Sequence, residues 1–238
     1  MIQFYTPDII SSLALSASDS QHCVRVLRHR EGDEIEVIDG SGGSHRCVII
    51  EANPHRCQVE ILSSRKVEKP WNGEFVLAVA PTKLMDRMEW MVEKAVEIGV
   101  DRIVPVLCHN SERRVIKTER LIKTAISAMK QSLKATLPVI DELTPFDTFV
   151  RSCETDERFI AYCDADTPRI LLPRLHRPGA SATVLIGPEG DFSPAEVSLA
   201  LQCGFRAVTL GDCRLRTETA AIVSLASLHT VNQISDNS

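Results

Sequence analysis

The chain has 238 residues, 44% hydrophobic and 25% charged, with a net charge of −5. That is ample for an ordinary globular core in one large domain or two small ones. The acidic balance weighs against a polycationic nucleic-acid binder, and with no apolar run near the ~20 residues of a membrane span, no membrane partner is expected.

The N-terminal five residues lack a basic and then apolar leader, so no signal peptide is expected and the compartment is read as cytoplasmic. Residues 20–30 read as a short helix with Cys23, Val26 and Leu27 on its inner side and Arg25, Arg28, His29 and Arg30 outside. Residues 34–39 alternate as a strand does, Asp39-Gly40-Ser41-Gly42-Gly43 is a hairpin turn, and 44–52 and 56–62 are the following strands. Such short strands with regular turns point to a small β-barrel over residues 1–70. The polar stretch 63–72, with Pro70, reads as a linker and sets the boundary of a second domain, 71–238.

Beyond it strands and helices alternate. Strands are expected at 75–80, 101–107, 159–163, 183–187 and 207–210. Helices are expected at 84–98 with Gly99 at its end, at 119–133, from Thr144-Pro145, from Thr167-Pro168 to near Leu175, from Ser193-Pro194-Ala195-Glu196 to Cys203, and from Thr217 or Glu218 onward. The alternation implies an α/β domain with a mostly parallel sheet covered on both faces. Ligands of such sheets bind beyond the carboxyl ends of the strands. The loops 187–193 and 211–217 lie there, as does whatever follows Cys163.

The eight cysteines form no Cys-x-x-Cys pair and the seven His have no metal-ligand spacing. No metal is expected, and the thiols read as reduced packing residues. His22 and His29 read as packing or surface residues. Residues 109–135 carry seven Lys or Arg, among them Arg113, Arg114 and Lys117, against two Glu. Alone, such a run reads as a solvated helix face.

The loops carry the chemistry. Gly187, Gly190 and Gly211 let backbone approach a ligand closely, and Leu185, Leu210 and Leu215 are placed to sandwich a flat heterocycle. Neither loop has the Lys and Ser/Thr of a P-loop, and Gly187-Pro188-Glu189-Gly190 puts a carboxylate where a phosphate would sit. A cationic ligand such as a nucleoside sulfonium fits better. Two plain glycine turns would leave the polar crowd of Glu189, Arg216, Thr217, Glu218 and Thr219 unexplained.

The segments 186–193, Leu210-Gly211 and 215–220 together resemble the bacterial 16S rRNA (uracil-N3) methyltransferases of the RsmE type, within the SPOUT superfamily. The likeness covers nearly the whole chain. His22, residues 26–28 and Gly32-Asp33 look like the family's PUA-like N-terminal segment, and Lys83, residues 94–100, Pro105 and Gln131-Ser132 like its middle motifs. Asp191 stands where the family usually has a second Gly, and Cys213-Arg214 interrupts the second motif.

The resemblance implies a trefoil knot in the C-terminal domain, S-adenosylmethionine held by Leu185, Gly187, Pro188, Glu189, Gly190, Leu210, Gly211, Leu215, Thr219 and Ala220, a homodimer, and 16S rRNA of the 30S subunit as substrate. Methyl transfer to N3 requires loss of the imide proton. Arg216 is the candidate for stabilising the uracil anion, and Glu218 or Glu189 for taking the proton. Arg25, Arg28, Arg30, Arg113, Arg114 and Lys117 are candidate phosphate contacts. The rival readings are a related enzyme acting on a ribose 2′-hydroxyl or on tRNA, and a non-catalytic RNA-binding assembly protein.

Overall fold

The computed structural model describes residues 2–162 and 169–236. The expectations for Cys163 and for a helix start at Thr167-Pro168 lie outside the described residues. The chain divides into two compact units, Met1–Pro70 with Ile126–Leu137, and Trp71–Ala125 with Pro138–Ser238.

The first unit is built from β1 (Gln3–Tyr5), α1 (Ile9–Ser12), α2 (Ala17–Gln21), β2 (Glu34–Ile38), β3 (Gly43–Glu51) and β4 (Gln58–Lys66). The sheet order is β1-β2-β3-β4, with β1 parallel to β2 and the other pairs antiparallel. The free edge of β4 is met by residues 13–15: the Val59 amide donates to the Leu13 carbonyl and the Leu15 amide to the Cys57 carbonyl, both at 2.9 Å. The sheet therefore curls back on its own N-terminal segment, as a barrel does. Alternate side chains, Ile35, Val37, Cys47, Ile49 and Val59, point into one core with Phe4, Ile9 and Cys23.

Two expectations change here. The helix begins earlier, at Ala17, with Ser16 accepting from the Asp19 amide. Over His22–Val26 it widens into a π-turn, in which the Leu27 amide reaches back five residues to the His22 carbonyl. The extra residue keeps Cys23 and Leu27 on the core and turns Val26 out, 63% exposed. The polar stretch after Ser63 is not all linker, because β4 continues to Lys66. It is held by polar cross-strand pairs rather than apolar alternation: Arg65 with Glu36 at 2.8 Å, and Ser64 with His45 at 2.9 Å.

The second unit holds β5 (Phe75–Val79), α3 (Met85–Ile98), β6 (Arg102–Leu107), the start of α4 (Thr118–Gln131), β7 (Val139–Ile140), β8 (Thr144–Pro145), α5 (Phe146–Ser152), β9 (Glu157–Ala161), β10 (Ile170–Leu171), β11 (Ala182–Ile186), α6 (Pro194–Gln202), β12 (Arg206–Thr209) and α7 (Thr217–Asp236). All pairings in its sheet are parallel, in the order β10-β12-β9-β11-β5-β6-β7, with β8 beside β6. Every residue of β5 and β11 is buried, β5 through an unbroken apolar run and β11 with one polar residue, Thr183, whose hydroxyl is hydrogen-bonded to Thr155 and Cys153. Phe146, Phe149 and Val150 of α5 and Ala200 of α6 cover one face, packing on Val76, Ala78, Val104, Ile160 and Leu185. Helix α7 packs against β5, β11 and α3.

Three details depart from expectation. Thr144-Pro145 does not open a helix by capping it: the Thr144 hydroxyl donates to the Glu142 carbonyl, and the pair runs beside Val106-Leu107. The helix expected to end near Leu175 is, over its described part, β10 and one 3₁₀ turn, Leu172–Arg174, in which Pro173 has no N–H to extend an α-helix. The strand expected at 159–163 begins two residues earlier, at Glu157.

Glu157 begins a strand while buried because its charge is met on all sides. Its oxygens lie 2.7 Å from His176 Nδ1, 3.1 Å from Arg177 Nε and 3.2 Å from Arg206 Nη2. Burial by itself would raise its pKa, but the His176 ring and the Arg177 N–H groups outweigh that and hold the carboxyl below its ordinary range. The stability it contributes is complete above its ordinary value near 4.5 and is lost as pH falls through the lowered native value. Glu157→Gln should therefore cost about 3 kcal/mol at pH 7, and its urea midpoint should change less than that of the wild type between pH 7 and acid.

Candidate active site

The parallel sheet sets β12, β9 and β11 side by side. Their carboxyl ends open together into a cleft of about 280 Å³. Ala161 and Tyr162 line it after β9, Ile186, Gly187, Pro188, Glu189 and Asp191 after β11, and Leu210, Gly211, Leu215, Arg216 and Ala220 after β12. Three converging strand ends are what the sequence pattern predicts. The eight sequence-predicted residues Gly187, Pro188, Glu189, Leu210, Gly211, Leu215, Arg216 and Ala220 thus share one cavity.

Four others do not line it. Leu185 is fully buried in the core beneath. Gly190 faces outward, where an added Cβ would stand 3.2 Å from Asn110 Cβ. Thr219 is half-buried on α7. Glu218, 7% exposed, is turned to α3, with Oε1 3.8 Å from Arg87 Nε and Oε2 lacking a hydrogen bond.

The loop after β11 is a closed turn. The Asp191 amide donates to the Pro188 carbonyl at 2.9 Å, and Asp191 Oδ1 accepts from the Phe192 amide at 2.8 Å. Asp191 holds φ of +60°, a left-handed conformation that few residues other than Gly adopt. Ser193 and Glu196 then form the expected reciprocal cap of α6. Glu189 Oε1 accepts from the Lys83 amide at 3.0 Å, so this carboxylate braces the segment after β5. Arg113 grips the same segment, donating to the carbonyls of Thr82 at 3.1 Å and Lys83 at 2.6 Å.

The loop after β12 is more open. Gly211 has φ of +122°, and a Cβ there would meet nothing within 4 Å, so bare backbone faces the cavity. Thr217, at the start of α7, donates its hydroxyl to the Gly187 carbonyl at 3.1 Å and ties the two loops together. Arg214 and Arg216 are exposed and have no side-chain partner among the described residues, while Arg169 donates to the Tyr162 carbonyl. Among the described residues three guanidiniums and two carboxylates line the cleft, so Glu189 does not stand there as a lone charge. Asn110, Tyr162 and Arg169 are residues at the site not singled out from sequence, because all three lie outside both glycine motifs.

The basic run 109–135 is partly engaged. Arg113 holds carbonyls, Arg120 pairs with Glu89, and Lys130 lies 2.6 Å from Asp19. Arg114 and Lys117 are exposed, as are Arg25, Arg28 and Arg30, and none of the five has a side-chain ion pair among the described residues. Among the described residues no group of three His, Cys, Asp or Glu is placed to hold a metal, and no helix is long and apolar enough to cross a membrane.

Residues 69–229 match the family of RNA methyltransferase domains, and residues 15–62 the RNA methyltransferase PUA domain. The chain belongs to this RNA methyltransferase family. A structure titled probable rRNA-methyltransferase from Porphyromonas gingivalis is similar at 45% identity and TM-score 0.95, covering 99% of this chain and 100% of that one. A ribosomal RNA small subunit methyltransferase E from Neisseria gonorrhoeae, bound to S-adenosylmethionine, is similar at 28% identity and TM-score 0.84, covering 97% and 98%. The protein of the same name from Rickettsia conorii is 26% identical over 92% of this chain and 89% of its own length. The cleft of this methyltransferase is held in shape by the bond between its loops. Thr217→Val, close in size but without the donor, should lower the unfolding free energy by about 1 kcal/mol in urea titrations.

Proposed function

We propose that this methyltransferase uses S-adenosylmethionine to methylate N3 of a uridine in the 16S rRNA of the small ribosomal subunit. The observation that carries the reading is a cleft built from both loop motifs in a chain similar over nearly its full length to proteins named ribosomal RNA small subunit methyltransferase E.

The cleft suits the cofactor in its chemistry. Ile186, Pro188, Leu210 and Leu215 offer apolar surface to a flat ring, and Gly211 offers backbone without a side chain. When bound, S-adenosylmethionine supplies an electrophilic methyl group. The acceptor nitrogen carries a proton that must leave, and the charge it leaves on the uracil oxygens needs a cation. Arg216 lines the cleft with a free guanidinium and fills that role. Of the two carboxylates, Glu189 lines the cleft and has a second oxygen beyond its bond to Lys83, so it is the better candidate base. Glu218 is the poorer one, turned to Arg87.

Residues 1–70 serve as a PUA-like RNA-binding domain and 71–238 as the catalytic domain, a division supported by the two family matches. Arg25, Arg28 and Arg30, with Arg114 and Lys117, contact rRNA phosphates. Arg113 is withdrawn from that set because its guanidinium is engaged. The catalytic domain carries a trefoil knot, supported by a sheet order in which β11 enters between β9 and β5 and β12 then lies outside β9. The protein works in the cytoplasm as a homodimer with the 30S subunit as partner.

Mapping of modified nucleosides in cells lacking the protein tests the reading: one N3-methyluridine should vanish from 16S rRNA. Loss instead of a ribose 2′-O-methyl group or of a tRNA mark would overturn it. Arg216→Ala should slow methyl transfer about 10²- to 10³-fold while calorimetry finds S-adenosylmethionine affinity unchanged. Removing Arg25, Arg28 and Arg30 together should weaken RNA binding and reduce the log–log salt slope by about 2.

A further inference from the structure

We propose that Asn110 is a positioning residue for the cofactor loop, fixing the turn at Gly190-Asp191 from outside the cleft; this rests on the methyltransferase reading above. Asn110 lies in the turn after β6, 80 residues before the loop it holds. Its Nδ2 donates to the Gly190 carbonyl at 3.1 Å and to the Asp191 carbonyl at 3.0 Å. Both partners only accept, so the amide has one possible orientation, with its NH₂ toward the loop.

Asn110 is itself anchored. The turn around it is closed by the Cys108 amide on Ser111 Oγ at 3.0 Å and the Ser111 amide on the Cys108 carbonyl at 3.1 Å. The adjacent His109 amide donates to Glu196 Oε1 at 2.7 Å. Glu196 Oε2 accepts from the amide and hydroxyl of Ser193, at the end of the same loop. The contacts form a ring: Asn110 to Gly190-Asp191, along the loop to Ser193, to Glu196, and back through His109.

What the ring holds is a conformation with a cost. A left-handed non-glycine residue relaxes unless its neighbours fix it. Asp191 is such a residue, and it lines the cleft together with Glu189. The missing Cβ of Gly190 lets Asn110 come close enough to reach both carbonyls. With the amide gone, both carbonyls lose this contact, the turn samples other conformations, and part of the ligand's binding energy goes into restoring it.

Calorimetry with S-adenosylmethionine on the full chain tests this with Asn110→Ala and Asn110→Asp. The alanine variant should bind about tenfold more weakly. The aspartate variant, which sets acceptors against acceptors, should bind more weakly still. Asn110 is exposed and outside the core, so the thermal midpoint of the free protein should move by less than about 3 °C. At saturating cofactor kcat should stay within about twofold of wild type, with the loss confined to the KM for S-adenosylmethionine. Unchanged affinity in both variants, or a fall in saturated kcat with affinity retained, overturns the proposal. If the aspartate variant does not fold, the alanine variant decides alone. Failure of the wild-type protein to bind S-adenosylmethionine would instead remove the functional reading, and this inference with it.

Discussion

The second unit depends on β11 being buried on both faces and paired in parallel on both edges. A strand so placed has no free backbone edge and no solvent-facing side, so four of its five residues are apolar and the fifth, Thr183, is fully buried with its hydroxyl hydrogen-bonded to Thr155 and Cys153. The only place it can offer chemistry is where it ends. Its neighbour β5 is bound by the same rule, and the sheet delivers polar groups at the carboxyl ends of its strands. Glu157, at the opposite end of β9, shows what the fold does with charge elsewhere: it surrounds the carboxylate with a His and two Arg and closes the site to other use.

The two loops at the productive end divide the work. The one after β11 has carbonyls held by Asn110 and Thr217, its Asp191 amide on the Pro188 carbonyl, and its Glu189 carboxylate on the Lys83 amide. It gives the cleft a fixed wall. The one after β12 has no side chain at Gly211, whose amide and carbonyl are tied to the Thr209 hydroxyl, and carries two guanidiniums with no side-chain partner among the described residues. Under the proposed function, a fixed wall on one side and cations on the other suit an enzyme that must align two reactants and stabilise an anion.

Much of this was legible in the sequence. A continuous apolar run located β5 and an apolar face of helical period located α3, and the reciprocal Ser193–Glu196 cap was readable because it lies within four residues. What escaped were facts set by distance. Nothing near Arg113 says that its guanidinium meets carbonyls 30 residues earlier, so a cation read as an RNA contact is a structural clamp. Leu185 looked like a cleft residue because it stands two positions before Gly187, but it lies inside β11, a strand buried on both faces, and packs in the core. The extra turn residue in the N-terminal helix was invisible because a π-turn has no strong sequence mark.

That π-turn uncouples two surfaces that a regular helix would lock together. In an α-helix each residue advances about 100° around the axis, so the core positions dictate where every outward side chain points. Cys23 and Leu27, four residues apart, stay on the core, while the smaller advance per residue in the π-turn swings Val26 outward. The direction in which this segment presents its outer side chains is therefore a separate variable from its packing.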